Sequence, residues 1–206
     1  MPKGSPELTA SRKEEIVNAC ERLYSTLSFK EITIKEIGEA TSFTRTSIYN
    51  YFQTKEEIFL ALMQREYEYW AQEMNNVAKS HDKMTPHELA DAFAHSLEQH
   101  RQLLKLLAMN HYDMEENSRP ERLTEFKTAY SASLDAVRHC IKKFFPDTDC
   151  ENFIFVFFPF LFGVYPYSVA TDKQLQAMKN AKMDFKMHSI YEMIYTCVMQ
   201  LLGGTL

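Results

Sequence analysis

Apolar residues recur three or four positions apart along most of this chain, the spacing that places them on one face of an α-helix. The first such stripe follows Ser11, which stands three residues before Glu14 as in a capping box, and runs to Leu27. Only five glycines occur, and there is no Asn-Gly or Asp-Gly pair. Signals for β-hairpins are therefore scarce, and the pattern predicts an all-α fold.

Breaks in this periodicity predict where the helices begin and end. We expect a loose arm over residues 1–10 and a polar loop over residues 110–120. The predicted helices cover residues 11–27, 34–41, 45–52, 55–79, 86–97, 103–109, 118–145, 149–169 and 181–202.

The chain is organised around residues 33–57, where two short helical patterns are separated by a break. Thr33 and Glu36 have the spacing of a capping box, and Ser42 and Phe43 interrupt the apolar pattern that follows. Two helices joined by three or four residues describe a helix-turn-helix, whose second helix enters the major groove of DNA. An ordinary αα-hairpin has the same spacing, so the pattern alone leaves both interpretations open.

The second of these helices is predicted to expose a polar and aromatic face. Ile48 and Phe52 are four residues apart and face inward. The residues left more exposed are Arg45, Thr46, Ser47, Tyr49, Asn50 and Tyr51. Arginine can bond guanine through two hydrogen bonds, and serine, threonine and tyrosine hydroxyls suit base edges or phosphates. The candidate DNA-binding residues are Thr33, Lys35, Thr44, Arg45, Thr46, Ser47, Tyr49, Asn50, Tyr51 and Lys55.

Residues 37–57 resemble the DNA-binding signature of the tetracycline-repressor (TetR) family. The most specific part is Tyr-x-Tyr-Phe-x-x-Lys-Glu-Glu, from Tyr49 to Glu57, and the likeness extends over about residues 11–60. Three positions where the family commonly has glycine carry other residues here, namely Ser28, Ser42 and Thr46.

The resemblance implies a helix-turn-helix DNA-binding domain over residues 1–54 and a helical effector-binding and dimerisation domain over residues 55–206. It implies a ligand-responsive transcriptional regulator, foremost a repressor, which binds a palindromic double-stranded operator as a homodimer formed through the last two helices. A two-fold dimer can place two recognition helices one DNA turn apart, roughly 34–36 Å. No cofactor is implied. A helical protein-interaction module and an all-α enzyme are the alternatives.

The net charge of −5 is unusual for a DNA-binding protein, but the charge is unevenly distributed. Residues 1–55 carry eight Lys or Arg against seven Asp or Glu, whereas residues 56–206 carry fifteen against twenty-one. Affinity for DNA depends on the local charge of the contacting face and not on the total. The basic signal is modest and does not independently indicate nucleic-acid binding.

The sequence offers little support for catalysis or for a metal centre. None of the motifs GxGxxG, GxxxxGK[ST], GxSxG and HExxH occurs. The four cysteines have no CxxC spacing, and no two of the seven histidines are four residues apart. We therefore expect no enzymatic activity and no metal site. The N-terminal residues lack the apolar segment of a signal peptide, so we expect a cytoplasmic protein with reduced thiols.

Residues 153–169 form a run of seventeen residues without a charge. A membrane-spanning helix needs about 20 apolar residues, and this run contains Pro159, Gly163 and Pro166. A helix that is apolar on all sides is otherwise buried in a core or between subunits. We expect no membrane span, and we predict that one face of this helix lines a core while the other contacts a partner chain.

Aromatic and methionine side chains are abundant in the second part of the chain. Pockets between bundle helices are mostly apolar with a few polar groups, and the family resemblance implies a cavity for a small apolar or aromatic effector. For each residue taken singly, packing in the core is the competing interpretation. The candidate ligand-binding residues are Trp70, Met74, Phe93, Met109, Tyr112, Phe126, Tyr130 and Phe158.

Overall fold

The computed structural model describes residues 5–109 and 111–203. Within these ranges the chain forms helices and no strand, which confirms the predicted all-α fold. The helices are α1 (Pro6–Thr26), α2 (Ile34–Glu39), α3 (Arg45–Ile48), α4 (Lys55–Ser80), α5 (Pro86–Gln99), α6 (Arg101–Leu107), α7 (His111–Glu116), α8 (Pro120–Phe144), α9 (Cys150–Ser168), α10 (Asp172–Asn180) and α11 (Ile190–Leu201).

Capping boxes begin several helices where the sequence predicts them. Thr33 precedes α2 and Thr85 precedes α5, and in each case a glutamate three residues later bonds back to the capping residue. Pro86 stands at the first position of α5, where its missing N–H leaves no hydrogen bond unmade. Helix α4 runs unbroken for 26 residues, in agreement with its lack of Gly and Pro.

Two predicted boundaries in the first part of the chain are wrong. Helix α1 begins at Pro6 and not at Ser11, because Ser5 caps it and accepts a 3.3 Å hydrogen bond from the amide of Leu8. Lys3, in the predicted arm, lies outside the described residues. The predicted loop over residues 110–120 contains the short helix α7, whose one buried side chain, Met114, leaves no periodic apolar signal.

Three expectations near the C-terminus are also wrong. The predicted start at residue 149 makes Thr148 the capping residue, but Asp149 caps α9 by accepting a 3.0 Å hydrogen bond from the amide of Asn152. Helix α10 buries no residue at all, so a search for apolar stripes overlooks it. The last helix begins at Ile190 and not near residue 181, because Ser189 forms its capping box with Glu192.

Contacts along the backbone group the chain into two compact units. The first unit comprises residues 1–65 and 110–130, and the second comprises residues 66–109 and 131–206. Helices α4 and α8 contribute residues to both units. The domain boundary at residues 54/55 rests on the motif rather than on such contacts, and it stays a prediction.

The first unit has a small aliphatic core with aromatic side chains at its edge. The core contains the fully buried isoleucines that the apolar pattern predicts, namely Ile16, Ile32, Ile37 and Ile48. Phe59 of α4 adds an aromatic cluster, since its ring centre lies 5.1 Å from that of Tyr24 and 4.8 Å from that of Phe29. This core fixes α1, α2 and α3 together with the start of α4.

The second unit is built around α9 and a cluster of buried phenylalanines. Helix α11 packs on α5 and α9, and α6 packs on α9. The ring centre of Phe157 lies 5.6 Å from that of Phe93 and 5.3 Å from that of Phe153, at angles typical of packed aromatic pairs.

Helix α9 is apolar on both its faces. Among the described helices it alone is long and apolar enough to cross a membrane, with a mean hydropathy of 1.3, and 39% of that window is buried. Core helices of soluble proteins meet the same criterion. The buried side includes Phe157 and Leu161, while Phe155 on the other side is 76% exposed. One face therefore lines the core of the second unit as predicted, and the other is exposed among the described residues.

Candidate nucleic-acid interface and effector region

The first unit contains a helix-turn-helix with an unusually short second helix. Helix α3 ends at Ile48 and not at residue 52 as predicted. The chain then turns, and the amides of Tyr51 and Phe52 both donate to the carbonyl oxygen of Ile48, at 2.8 and 3.0 Å. The polar and aromatic face that the sequence predicts is consequently part helix and part turn.

Gly38 allows α2 and α3 to approach each other closely. A Cβ atom at this position would lie 3.1 Å from the Cα and 3.2 Å from the Cβ of Arg45. Such distances are shorter than ordinary van der Waals contact, so a larger residue would press against the first residue of α3.

The substitutions of glycine at Ser28, Ser42 and Thr46 do not strain the backbone. Among the described non-glycine residues, Lys182 alone has a positive φ. Ser42 makes useful contacts in the turn, because its backbone amide and its hydroxyl both donate to the carboxylate of Glu15 on α1. The serine therefore ties the turn to α1.

Most of the predicted DNA-binding side chains are exposed. The exposed ones are Thr33, Lys35, Thr44, Arg45, Thr46, Tyr49 and Asn50. Ser47 is half-buried, and its hydroxyl lies 3.1 Å from that of Thr44. These residues lie together on α2, the turn, α3 and the turn that follows, and their contacts with DNA stay a prediction.

Tyr51 and Lys55 are placed differently from the others. Tyr51 was expected to be exposed and is only 4% exposed, because the chain leaves the helix after Ile48 and turns this ring inward. Its hydroxyl accepts a 3.4 Å hydrogen bond from Arg12. Lys55 donates to the carbonyl oxygens of Phe29 and Ile32, at 2.8 and 3.1 Å. Both side chains therefore stabilise the three-helix head, which is the unit formed by α1, α2 and α3.

The candidate effector residues are divided between the two units. Trp70, Met74, Phe93 and Phe158 are buried in the second unit, where the rings of Trp70 and Phe158 are 5.8 Å apart. Met109 belongs to the same unit and is half-buried.

The other three candidates, Tyr112, Phe126 and Tyr130, group with the first unit. Phe126 is buried, and burial raises the pKa of Tyr130. Tyr112 is 88% exposed.

A polar cluster that no sequence motif predicts lies beside Trp70. His100 Nε2 lies 2.8 Å from a carboxylate oxygen of Glu73, which also accepts a 2.8 Å hydrogen bond from Ser96. The other imidazole nitrogen lies 3.9 Å from Glu66. Hydrogen bonding to Glu66 raises the pKa of His100, burial opposes this, and Glu73 adds to the rise.

Trp70 stands between the two acidic residues of this cluster on α4. Glu66 precedes it by one helical turn and Glu73 follows it by three residues, so all three share a face. The ring of Trp70 is fully buried, and its Nε1–H has no hydrogen-bond partner among the described residues. Buried donors are nearly always paired, so this one is an exception in need of an acceptor.

No group of three His, Cys, Asp or Glu residues in the described ranges is placed to hold a metal ion. A surface groove of about 350 Å³ lies at the end of α9. Its lining is almost entirely apolar and consists of Pro166, Tyr167, Ala170, Gln174, Ala177, Met178, Met183, Phe185 and Met187.

Two family descriptions together match nearly all of this architecture. "Bacterial regulatory proteins, tetR family" matches residues 16–62, and "Tetracyclin repressor-like, C-terminal domain" matches residues 64–203. The chain belongs to the TetR family. This membership confirms the family suggested by Tyr49–Glu57, and with it the prediction of a transcriptional regulator.

A curated relative of this TetR-family chain is the HTH-type transcriptional repressor Rv1474c of Mycobacterium tuberculosis. The two are 26% identical over 68 residues, which are 33% of this chain and 36% of the repressor. The match thus spans little more than a third of that protein.

Solved structures of TetR-family regulators share the fold at low sequence identity. The fatty acid degradation regulator FadR of Bacillus halodurans is 16% identical with a TM-score of 0.58, and the match covers 98% of both chains. FadR of Thermus thermophilus in complex with lauroyl-CoA is 20% identical with a TM-score of 0.57, over 94% of this chain and 95% of that one. SmeT, the repressor of a multidrug efflux pump of Stenotrophomonas maltophilia, is 17% identical with a TM-score of 0.57. The match covers 93% of this chain and 88% of SmeT.

Proposed function

We propose that this TetR-family regulator is a repressor that binds a palindromic operator as a homodimer and is released by a small apolar or aromatic effector. The observation that carries the proposal is the exposed face of Arg45, Thr46, Tyr49 and Asn50 on a tightly packed three-helix head. An arginine and several hydroxyl and amide groups on a short helix are suited to reading base edges in the major groove. Tyr51 and Lys55 serve this face by fixing its position.

The uncovered face of α9 supports the homodimer. Phe155, Pro159, Phe162 and Pro166 are exposed and spaced four, three and four residues apart, as along the seam of a coiled coil. No charged residue occurs between Glu151 and Asp172, so two copies of this face bring no like charges together. Contiguous apolar surface of this kind is typical of interaction sites. Helix α11, packed against α9, completes the interface that we propose.

The effector region that we propose centres on Trp70 and the phenylalanines around it. An apolar or aromatic effector would find packing partners in Phe93 and Phe158. A hydrogen-bond acceptor on that effector would satisfy the unpaired Nε1–H of Trp70. Because the FadR protein of Thermus thermophilus is described with lauroyl-CoA, this thioester and an uncharged aromatic compound are the first two probes to compare.

Selection of bound DNA from a random pool, carried out at two salt concentrations, tests the proposal directly. We expect a palindrome whose half-sites are about one helical turn apart and whose affinity falls steeply with salt. The operator recovered in this way is the selected DNA. Each of the two probes is then titrated into the complex of the protein with the selected DNA, and release of the protein is measured. Absence of enrichment at low salt, with protein that has been denatured and refolded to remove any bound ligand, would contradict the proposal.

A further inference from the structure

We infer that Arg119, far outside the helix-turn-helix, is a positioning residue for DNA reading and acts by holding Glu57 against the turn that follows α3. Glu57 is completely buried. Its carboxylate accepts hydrogen bonds from Arg119 Nε at 2.6 Å, from Nη2 at 2.8 Å and from the backbone amide at 3.1 Å. The inference rests on the proposed DNA-reading function and adds a residue that the motif does not contain.

Glu57 and Arg119 bind the turn that follows α3 at two points. Glu57 accepts a 2.8 Å hydrogen bond from the amide of Gln53, and Arg119 Nη2 donates a 3.2 Å hydrogen bond to the carbonyl oxygen of Tyr51. Tyr51 follows directly after the exposed residues Tyr49 and Asn50. Movement of the carboxylate or of the guanidinium would therefore shift the outward side chains just before it.

A neighbouring contact reinforces the attachment. The hydroxyl of Thr54 donates a 3.0 Å hydrogen bond to the carbonyl oxygen of Asn117, two residues before Arg119. The turn from Tyr51 to Thr54 is thus bound to the segment that precedes α8 through both side chain and backbone. No sequence motif connects these residues, because Glu57 and Arg119 are 62 positions apart.

The charges of the pair are mutually satisfied. Burial alone would raise the pKa of Glu57, but hydrogen bonds from Arg119 and from two backbone amides outweigh it and keep the pKa below its usual value. Hydrogen bonding to Glu57 likewise raises the pKa of Arg119. Both groups are therefore charged at neutral pH, and the guanidinium is already neutralised by a buried partner. Its influence on DNA is geometric and not a matter of neutralising phosphates.

The competing explanation, a direct contact of Arg119 with phosphate, makes opposite predictions. Loss of a phosphate contact makes the negative slope of log affinity against log salt shallower by about 0.9 per contact, and a homodimer loses two such contacts. Loss of a positioning residue lowers affinity equally at every salt concentration. Glu57→Gln separates the two explanations by the direction of the change in affinity. Removal of a negative charge near DNA would by itself strengthen binding, whereas loss of positioning weakens it.

Equilibrium binding of the selected DNA to the full-length chain, over a range of salt, tests the inference. We expect Glu57→Gln and Arg119→Gln each to weaken binding roughly tenfold, about 1.4 kcal/mol, with the salt slope unchanged. The controls are Glu151→Gln and Arg138→Gln, which make the same charge changes in an exposed ion pair of the second unit. These controls should bind as the wild type does. Tighter or unaltered binding by Glu57→Gln would overturn the inference. So would a shallower dependence of log affinity on log salt for Arg119→Gln.

A conservative variant distinguishes loss of positioning from unfolding of the protein, which matters because breaking a buried ion pair is destabilising. Arg119→Lys keeps the charge but loses the planar fork, so it should bind the selected DNA with intermediate affinity. Hydrogen exchange should speed up at the amide of Gln53 and stay slow along α1. Loss of protection throughout α1, or no change at Gln53, would overturn the inference. Failure of the wild type to bind any DNA would instead contradict the proposed function on which it rests.

Discussion

The side-chain nitrogen of Lys55 lies 4.0 Å from the centre of the Phe29 ring and donates a 2.8 Å hydrogen bond to the Phe29 carbonyl oxygen. A second hydrogen bond, 3.1 Å long, goes to the carbonyl oxygen of Ile32. The lysine at the start of α4 thus fastens the segment between α1 and α2. Lys55, a basic residue of the TetR-like signature, therefore stabilises the three-helix head.

Lys55→Met should destabilise the protein. Hydrogen bonds to a charged group contribute about 1.5–3 kcal/mol, so we expect the free energy of unfolding in urea to fall by about that amount. Lys35→Met is the matched control, because Lys35 is exposed and its side chain makes a 3.8 Å surface ion pair with Glu39. Its effect should stay within about 0.5 kcal/mol. Equal stability of the two variants would show that the Lys55 contacts contribute nothing.

Gly38→Ala should weaken operator binding even though alanine favours helices. Alanine is better than glycine in a helix interior by about 1 kcal/mol, but the added Cβ would lie 3.1 Å from the Cα of Arg45. We expect α3 to be displaced and affinity for the selected DNA to fall, and to fall further in Gly38→Val. Fluorescence anisotropy with labelled DNA measures both. An alanine variant that is more stable and binds normally would show that α3 tolerates the shift.

The sequence predicts those parts of the head that depend on neighbours along the chain. Thr33 and Glu36 form the expected capping box, and Ile37 and Ile48 are buried as their spacing requires. Tyr51 shows where this reasoning stops, because helical spacing applies only while the chain is helical. The turn after Ile48 rotates the ring of Tyr51 inward, and no local signal marks that turn.

Contacts between distant residues are beyond such rules. Glu57 meets Arg119, and Glu73 meets His100, although each residue alone looks like an ordinary surface charge in the sequence. Helix α10 is missed for a different reason, since a helix that buries no side chain has no apolar stripe. The sequence offers Trp70 and Phe158 as effector candidates with core packing as the alternative; both are buried, and their contact with an effector stays a prediction. The unpaired Nε1–H of Trp70 among the described residues leaves no trace in the sequence.

Arg45→Ala and Tyr49→Ala should each abolish specific binding of the selected DNA. Loss of a good base contact costs about 1–3 kcal/mol, and a dimer loses it twice. Helical content by circular dichroism and the oligomeric state should not change, because both side chains are exposed. Tyr51→Phe is the comparison, since the hydroxyl of Tyr51 is engaged with Arg12 inside the head. Wild-type affinity in both alanine variants would show that the recognition face lies elsewhere.

Stability should fall between pH 6 and pH 9 because of His100. Its pKa is raised, foremost by hydrogen bonding to Glu66, so the stabilisation is complete below the unfolded value of about 6.5 and disappears as pH rises through the folded value. Urea unfolding at the two pH values should therefore show a larger fall for the wild type than for His100→Gln. His139→Gln, which alters an exposed histidine, is the control. An identical pH dependence in wild type and His100→Gln would contradict this prediction.

Phe155→Glu and Phe162→Glu should convert a dimer into monomers. Each places a charge on the exposed face of α9, where a two-fold axis would bring it close to its own copy, so we expect the dimer dissociation constant to rise roughly 100-fold. Sedimentation velocity across a range of concentrations measures this shift. Leu175→Glu is the matched control, because Leu175 is an equally apolar and 47% exposed side chain on α10 instead of α9.

The same variants connect assembly with DNA reading. A monomer presents a single head, so operator binding should weaken much more steeply than half-site binding, while the fold of each protomer stays intact. If the wild type were itself monomeric and still bound a palindrome, the apolar face of α9 would serve another protein and not a second copy. If Leu175→Glu dissociated the dimer while the α9 variants did not, the interface would lie on α10 and the adjoining groove.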